Sequence, residues 1–276
     1  MNINLHGVRG SIPTTSPDTK KYGGNTSCVE VEADGWRLIL DAGSGIQTVH
    51  PKEGQKRVDI LLTHLHIDHI QGLGFFKPMF DPSSEIHIWG PASSSLSLRG
   101  RLGRYFSPPL FPVYFRNLTC ALTLHEVDDS SFEIGPFTVQ SCYVVHPGPT
   151  VGYRIQHQSG TIAYLPDHEP ALGRDGLLTD RKWLSGSDLA FEADLLLHDA
   201  QYTADEYCNR VGWGHSSVDD ALQFAAITNV KQLLLTHHDP SRTDVELDQL
   251  VQEVAQKTAG NFLCGLAFEG LQIHLD

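Results

Sequence analysis

Three segments of this chain end in the same way. Leu61-Leu62-Thr63-His64, Leu195-Leu196-Leu197-His198-Asp199 and Leu233-Leu234-Leu235-Thr236-His237 are each a short, buried-type run that stops at histidine or aspartate. Runs without polar alternation suit strands covered on both faces, as in a helix-flanked sheet with parallel pairs. Side chains at the carboxyl ends of neighbouring strands converge on one sheet edge, where α/β proteins place their sites. The chain is thereby directed to an α/β architecture with a His/Asp cluster at one edge.

The other elements follow from pattern. Apolar runs bounded by turn residues predict strands at 37–40, 58–62, 86–89, 137–145, 151–156, 161–165, 194–197, 231–235, 262–268 and 271–275. Helical spacing appears at 68–76, at 217–227 behind Ser217 with an acid three residues on, and at 245–257. Ser159-Gly160 between two alternating runs predicts a hairpin, so the sheet is mixed. No linker and no long repeat divides the chain, which reads as one domain over 1–276. Residues 93–117 differ in texture, with Arg99, Arg101, Arg104 and Arg116, no acid, and Tyr105, Phe106, Phe111, Tyr114 and Phe115. This stretch reads as an insertion packing its aromatics on the body or as a lid that binds an anion. Its aromatics would equally serve a homodimer contact.

Composition narrows the partners. The 276 residues hold 20 Lys+Arg against 33 Asp+Glu, a formal charge of -13. Such a surface repels phosphate backbones, so no long nucleic acid is expected. No apolar run approaches the roughly 18 residues of a membrane span, and the amino terminus lacks a signal-peptide pattern, which points to a cytoplasmic protein. The five cysteines are scattered, without a Cys-x-x-Cys pair, and read as reduced, mostly buried thiols. Histidine stands apart: 15 imidazoles is a high count, and imidazole is the commonest transition-metal ligand.

The histidines concentrate at His64-Leu65-His66-Ile67-Asp68-His69. Alternate residues of an extended segment point the same way, so His64 and His66 can share one ion, while the turn into a helix directs Asp68 and His69 to a second. His146, Asp167 and His237 each stand where an apolar strand stops and are the candidates to complete the set. His238 reads as a partner of a ligand or a solvent-facing residue; His168 is given no role.

With Asp41-Ala42-Gly43, these residues resemble the motifs of the metallo-β-lactamase superfamily in order and spacing. That resemblance implies an α/β fold, an αββα sandwich of two mixed β-sheets flanked by helices. It further implies one metal on His64, His66 and His146, another on Asp68, His69 and His237, Asp167 as a bridge, and Asp41 bracing the ligand loop. Nitrogen and oxygen ligands suit zinc, manganese and iron, with zinc the default. Gly214-His215-Ser216-Ser217 and His198-Asp199-Ala200 resemble motifs of ribonuclease Z and the small cyclic-phosphate phosphodiesterases, with Asp199 where those carry glutamate. So do Gly7-Val8-Arg9-Gly10-Ser11 and Tyr22-Gly23-Gly24-Asn25-Thr26-Ser27. The ribonuclease Z arm is an insertion between the third-motif His and fourth-motif Asp, whereas His146 and Asp167 lie only 21 residues apart.

The expectation is a metal-dependent phosphodiesterase for a small, cyclic phosphodiester such as a cyclic nucleotide. A hydroxide held between two ions about 3.5–4 Å apart attacks phosphorus in line. Asp68 orients it, His215 kept cationic by Asp199 protonates the leaving oxygen, and Arg99, Arg101 or Arg104 holds the phosphate. The alternatives are a thioester or lactone hydrolase of the glyoxalase II type, for which His215 is dispensable, a ribonuclease Z-like endoribonuclease, and a non-enzymatic binding protein on the same fold.

Overall fold

A computed structural model describes residues 1–50, 54–170, 172, 177–258 and 262–276. Its strands are β1 (Asn2–Gly7), β2 (Cys28–Ala33), β3 (Trp36–Leu40), β4 (Arg57–Leu61), β5 (Glu85–Pro91), β6 (Ala121–Val127), β7 (Ser130–Ile134), β8 (Phe137–Tyr143), β9 (Val151–His157), β10 (Gly160–Leu165), β11 (Leu195–Asp199), β12 (Gln232–Thr236), β13 (Leu263–Leu266) and β14 (Gln272–His274). The helices are α1 (Ile67–Ile70), α2 (Leu98–Tyr105), α3 (Ser187–Ala190), α4 (Ala204–Tyr207), α5 (Val218–Thr228) and α6 (Asp244–Lys257). Two mixed sheets of seven strands form, in the orders β14-β1-β2-β3-β4-β5-β6 and β13-β12-β11-β10-β9-β8-β7.

Alternation along each strand builds the layers. Leu38, Leu40 and Leu61 of the first sheet meet Tyr153, Leu195 and Leu197 of the second in a core between the sheets. The intervening residues face outwards: Ile39, Ile60 and Ile88 pack under α2 and the short turns, and Leu196, Leu233 and Leu235 under α5 and α6. The order is helix, sheet, sheet, helix, as the resemblance to the metallo-β-lactamase superfamily implies. β3 to β6 run parallel, as do β10 to β13, so the carboxyl ends of β4, β10, β11 and β12 open on one rim.

Several expectations are corrected. The helix expected at 68–76 is the short α1 followed by a 3-10 turn at Leu73–Phe75. Gly72 breaks it, donating its N–H to Ala42 O at 2.9 Å and lying so close that a Cβ there would sit 2.1 Å from Gly43 O. Four strands escaped the sequence reading. β1 and β2 alternate with Asn, His and Glu, and β6 and β7 are polar edge strands of the two sheets, so none forms a long apolar run. Of the thiols, Cys28 and Cys120 are buried, Cys142 and Cys264 partly so, and Cys208 is exposed. Among the described residues no helix is long and apolar enough to cross a membrane.

Residues 93–117 dock on the first sheet. Ser97 caps α2 by accepting from Gly100 N at 3.2 Å, and Leu98, Leu102, Phe106, Phe111 and Phe115 are buried against the outer core. Arg101 and Arg104 share a cavity wall with His64 and His66. Arg99 does not: its guanidinium lies over the Phe115 ring at 5.3 Å.

Candidate functional site

Strand ends and the turns after them gather the His/Asp cluster. His64 and His66 follow β4, Asp68 and His69 lie on α1, His146 follows β8, Asp167 follows β10 and His237 follows β12. The ligand atoms of His64, His66 and His146 lie within 4.8 Å of one another, and so do those of Asp68, His69 and His237. Asp167 stands between the two groups, 3.0 Å from His69 Nε2, 3.3 Å from His237 Nε2, 3.8 Å from His64 Nε2 and 3.9 Å from His146 Nε2. All seven predicted ligands therefore meet at one place. His64 Nε2, His69 Nε2 and Asp167 Oδ2 are buried without a well-formed hydrogen bond, His69 and Asp167 meeting only as an ion pair at 3.0 Å. Buried nitrogens and a carboxylate oxygen converging on one space fit divalent cations, which would replace the missing partners.

Neighbours fix the rings. Asp41, fully buried and in the left-handed backbone region at φ 57°, accepts from Thr63 N at 2.8 Å and Tyr164 Oη at 3.0 Å and meets His69 Nδ1 at 2.8 Å. His146 Nδ1 donates to Gly214 O at 2.7 Å, and His237 Nδ1 to Gln201 Oε1 at 3.1 Å. Asp68 accepts from Ser11 N at 2.8 Å. Such contacts set ring orientation and tautomer in metal sites. Burial pushes His64, His66 and His146 down, His146 to about 4, which favours the neutral ligating form. Burial also opposes charge on His69, but Asp167, Asp68 and Asp41 outweigh it and hold that ring well above the usual range.

His215 borders the cluster, stacked on His237 at 4.9 Å between ring centroids. Its Nδ1 meets Asp199 Oδ2 at 2.7 Å, so aspartate suffices where a longer glutamate was the alternative. Asp199 is itself fixed, accepting from Gln201 N at 2.9 Å and His168 N at 3.2 Å. Burial works against the His215 charge, but Asp199, Asp167 and Asp68 prevail and lift it to about 9. Ser217, not His215, caps α5 by accepting from Asp220 N at 3.1 Å.

The reading of other positions changes. His238 does not face solvent; it is buried, hydrogen-bonds Ala267 O at 2.8 Å, and burial pushes it down to about 3. His168 is a core residue whose Nδ1 meets His198 Nε2 at 3.0 Å. Its neighbour Glu169 was missed. That buried carboxylate accepts from Tyr207 Oη at 2.8 Å and from Gly212 N and Gly214 N, both at 2.7 Å, and so secures the loop that carries His215 and orients His146. Gly214 is in the left-handed region at φ 91°, and a Cβ there would lie 2.2 Å from Pro147 Cδ. Only proximity to Asp167 in the sequence hinted at Glu169.

Comparison with known proteins agrees with this geometry. Residues 36–238 match the Beta-lactamase superfamily domain. The chain belongs to that superfamily. A curated relative, the ribonuclease Z of Natronomonas pharaonis, is 24% identical over 90% of this chain and 92% of its own. Among solved structures, the metallo-β-lactamase fold protein YhfI of Bacillus subtilis aligns with a TM-score of 0.71 at 19% identity, covering 99% of this chain and 98% of that one. The short form of human tRNase Z (ELAC1) aligns at 0.69 and 22% identity over 100% of both chains. Both superpositions bear out the αββα expectation.

Proposed function

We propose that this protein is a metal-dependent phosphodiesterase acting on a small, cyclic phosphodiester, with two divalent cations, zinc by default, held by His64, His66 and His146 and by Asp68, His69 and His237, and with Asp167 between them. The observation that carries the reading is the 2.7 Å Asp199–His215 pair at the border of the ligand cluster. Hydrolysis of an ester with an alkoxide leaving group needs a proton at the departing oxygen, and a carboxylate-supported imidazolium holds one near neutral pH. Bound cations would neutralise the non-bridging phosphoryl oxygens and acidify a water. Their charge would also draw His215 down from about 9 towards the range in which it gives its proton readily. Asp68, tied to Ser11 N at 2.8 Å, is placed to orient the attacking water. Asp199 returns His215 to the same position after each transfer.

Ribonuclease Z relatives favour a second reading, cleavage of RNA. Two features of this chain support a small substrate instead. The 21 residues from His146 to Asp167 hold only a short loop and the β9–β10 hairpin, leaving no room for an arm. The charge of -13 weakens binding to a long polyanion. The test is hydrolysis by zinc- and manganese-loaded protein of bis(p-nitrophenyl) phosphate, 2′,3′- and 3′,5′-cyclic nucleotides, a precursor tRNA, a thioester and a lactam. Cyclic nucleotide turnover that His215→Ala lowers by about 10²–10⁴ is expected. Dominant thioester turnover, or cyclic ester turnover indifferent to His215→Ala, overturns it; efficient tRNA cleavage selects the second reading.

A further inference from the structure

Beside the ligand cluster lies a cavity of about 370 Å³, at the small end of the range for small-molecule sites. Its lining includes His64 and His66 from the cluster, Tyr105 and Leu110 from the aromatic segment, and Pro147 and Pro149. Its lip is apolar and exposed: Ile67 is 55% and Leu110 73% accessible. Large apolar side chains grouped at a rim cost solvation unless something covers them. The Tyr105 ring is held in place, its Oη donating to Gln71 O at 2.7 Å and the ring packed edge-to-face with Phe106 and tilted against Phe111. Proline rings are rigid as well, so the walls exist before a ligand arrives.

The arginines of this segment are not equivalent. Arg101 is engaged by Pro91 O and lies 3.7 Å from Glu126. Arg99 lies over Phe115, outside the cavity. Arg104 is exposed, lines the cavity, and has no ion-pair partner among the described residues. A free guanidinium in an acidic protein, on the wall of an apolar cleft that reaches the ligand cluster, complements an anionic oxygen attached to an apolar ring.

We infer that this cleft is a subsite for the part of the substrate that lies away from the departing oxygen, and that this part is a flat aromatic ring of nucleobase or aryl size, with Arg104 on the phosphoryl oxygens. The assignment to that end of the substrate rests on the phosphodiester reading: the leaving oxygen must reach His215, and His215 is not among the residues lining the cleft.

The experiment compares phenyl p-nitrophenyl phosphate with methyl p-nitrophenyl phosphate on zinc-loaded protein. Both release p-nitrophenolate, so the retained group alone differs. The phenyl ester should show about tenfold higher kcat/KM, carried by KM, as partial burial of a ring provides. Calorimetry should find phenylphosphonate binding about tenfold tighter than methylphosphonate. Leu110→Ser, at a site too exposed to threaten folding, should shrink both ratios to about twofold, and Arg104→Gln should weaken both phosphonates alike. Equal handling of the two esters and the two phosphonates, or ratios that survive Leu110→Ser, overturns the subsite. Loss of turnover for both esters with the phosphonate preference intact overturns the phosphodiester reading and leaves the aromatic subsite standing.

Discussion

Glu169 and Asp41 are two buried carboxylates that each steady a histidine of the cluster, Asp41 by meeting His69 directly and Glu169 through Gly214, whose carbonyl accepts from His146. Glu169→Ala strands the N–H groups of Gly212 and Gly214. A lost buried partner costs about 1–3 kcal/mol, so urea unfolding should register a drop of at least about 2 kcal/mol. His146, which donates to Gly214 O, should also hold its cation more weakly. Unchanged unfolding and metal affinity would contradict this account. Asp41→Asn removes the carboxylate facing His69 Nδ1 and should lower affinity at the Asp68, His69 and His237 group about 10–100-fold, measured by competition with a chromophoric chelator. On the proposed reading, in which His215 moves a proton and holds no cation, His215→Ala should leave metal content near wild type. That contrast separates the three positions.

The strands missed in the sequence tie the first sheet together through charge. Glu30 of β2 meets Arg37 of β3 at 2.8 Å and His6 of β1 at 3.2 Å. Burial opposes ionisation of Glu30, but the hydrogen bond to His6 and the Arg37 guanidinium overcome it and hold the carboxyl below its usual 4.5. A carboxyl with a depressed folded-state pKa contributes stability above its unfolded value, and the contribution fades as pH falls through the folded value. The urea midpoint should therefore fall below about pH 4.5, and Glu30→Gln should flatten that acid limb; an unaltered limb would assign acid sensitivity elsewhere. At the other end of the chain, α6 is opened by a capping box in which Thr243 and Glu246 satisfy each other's backbone N–H groups. Thr243→Ala should cost about 1 kcal/mol, read as a shift of the same midpoint.

Across the whole molecule, candidate ligands drawn from four separate strand ends would make cation binding and folding one equilibrium. The folded chain presents the set; the unfolded chain scatters it. Cation at about a hundred times its Kd should add roughly 2.7 kcal/mol per site, so thermal scans with zinc and with excess chelator should differ by several degrees. Equal melting temperatures would mean that the cluster binds no cation of consequence. The global charge of -13 looks different on this scale. Asp68 and Asp167 belong to the cluster, and Arg104, without an ion-pair partner among the described residues, lines the cavity beside it, so bound cations would make the cleft locally cationic in a protein that repels polyanions elsewhere.

The alternation of buried strands with helical periods was enough to predict a helix-covered mixed sheet, because the side-chain period of each element is a local property; that there are two such sheets followed from the resemblance to the metallo-β-lactamase superfamily. The hexapeptide from His64 to His69 disclosed the cluster for a similar reason: six consecutive residues keep their mutual geometry wherever the chain goes. His146, Asp167 and His237 were legible because strand ends converge on one rim. What the sequence left open depended on distances between segments far apart in the chain. Tertiary packing decided that Asp199 reaches His215 at 2.7 Å, that Glu169 secures the loop before it, and that Gly72 ends α1 early. It also separated Arg104 from Arg99 and Arg101, although the three differ little in local pattern. Which arginine stays free is set by what the rest of the fold brings alongside it, and no local periodicity encodes that.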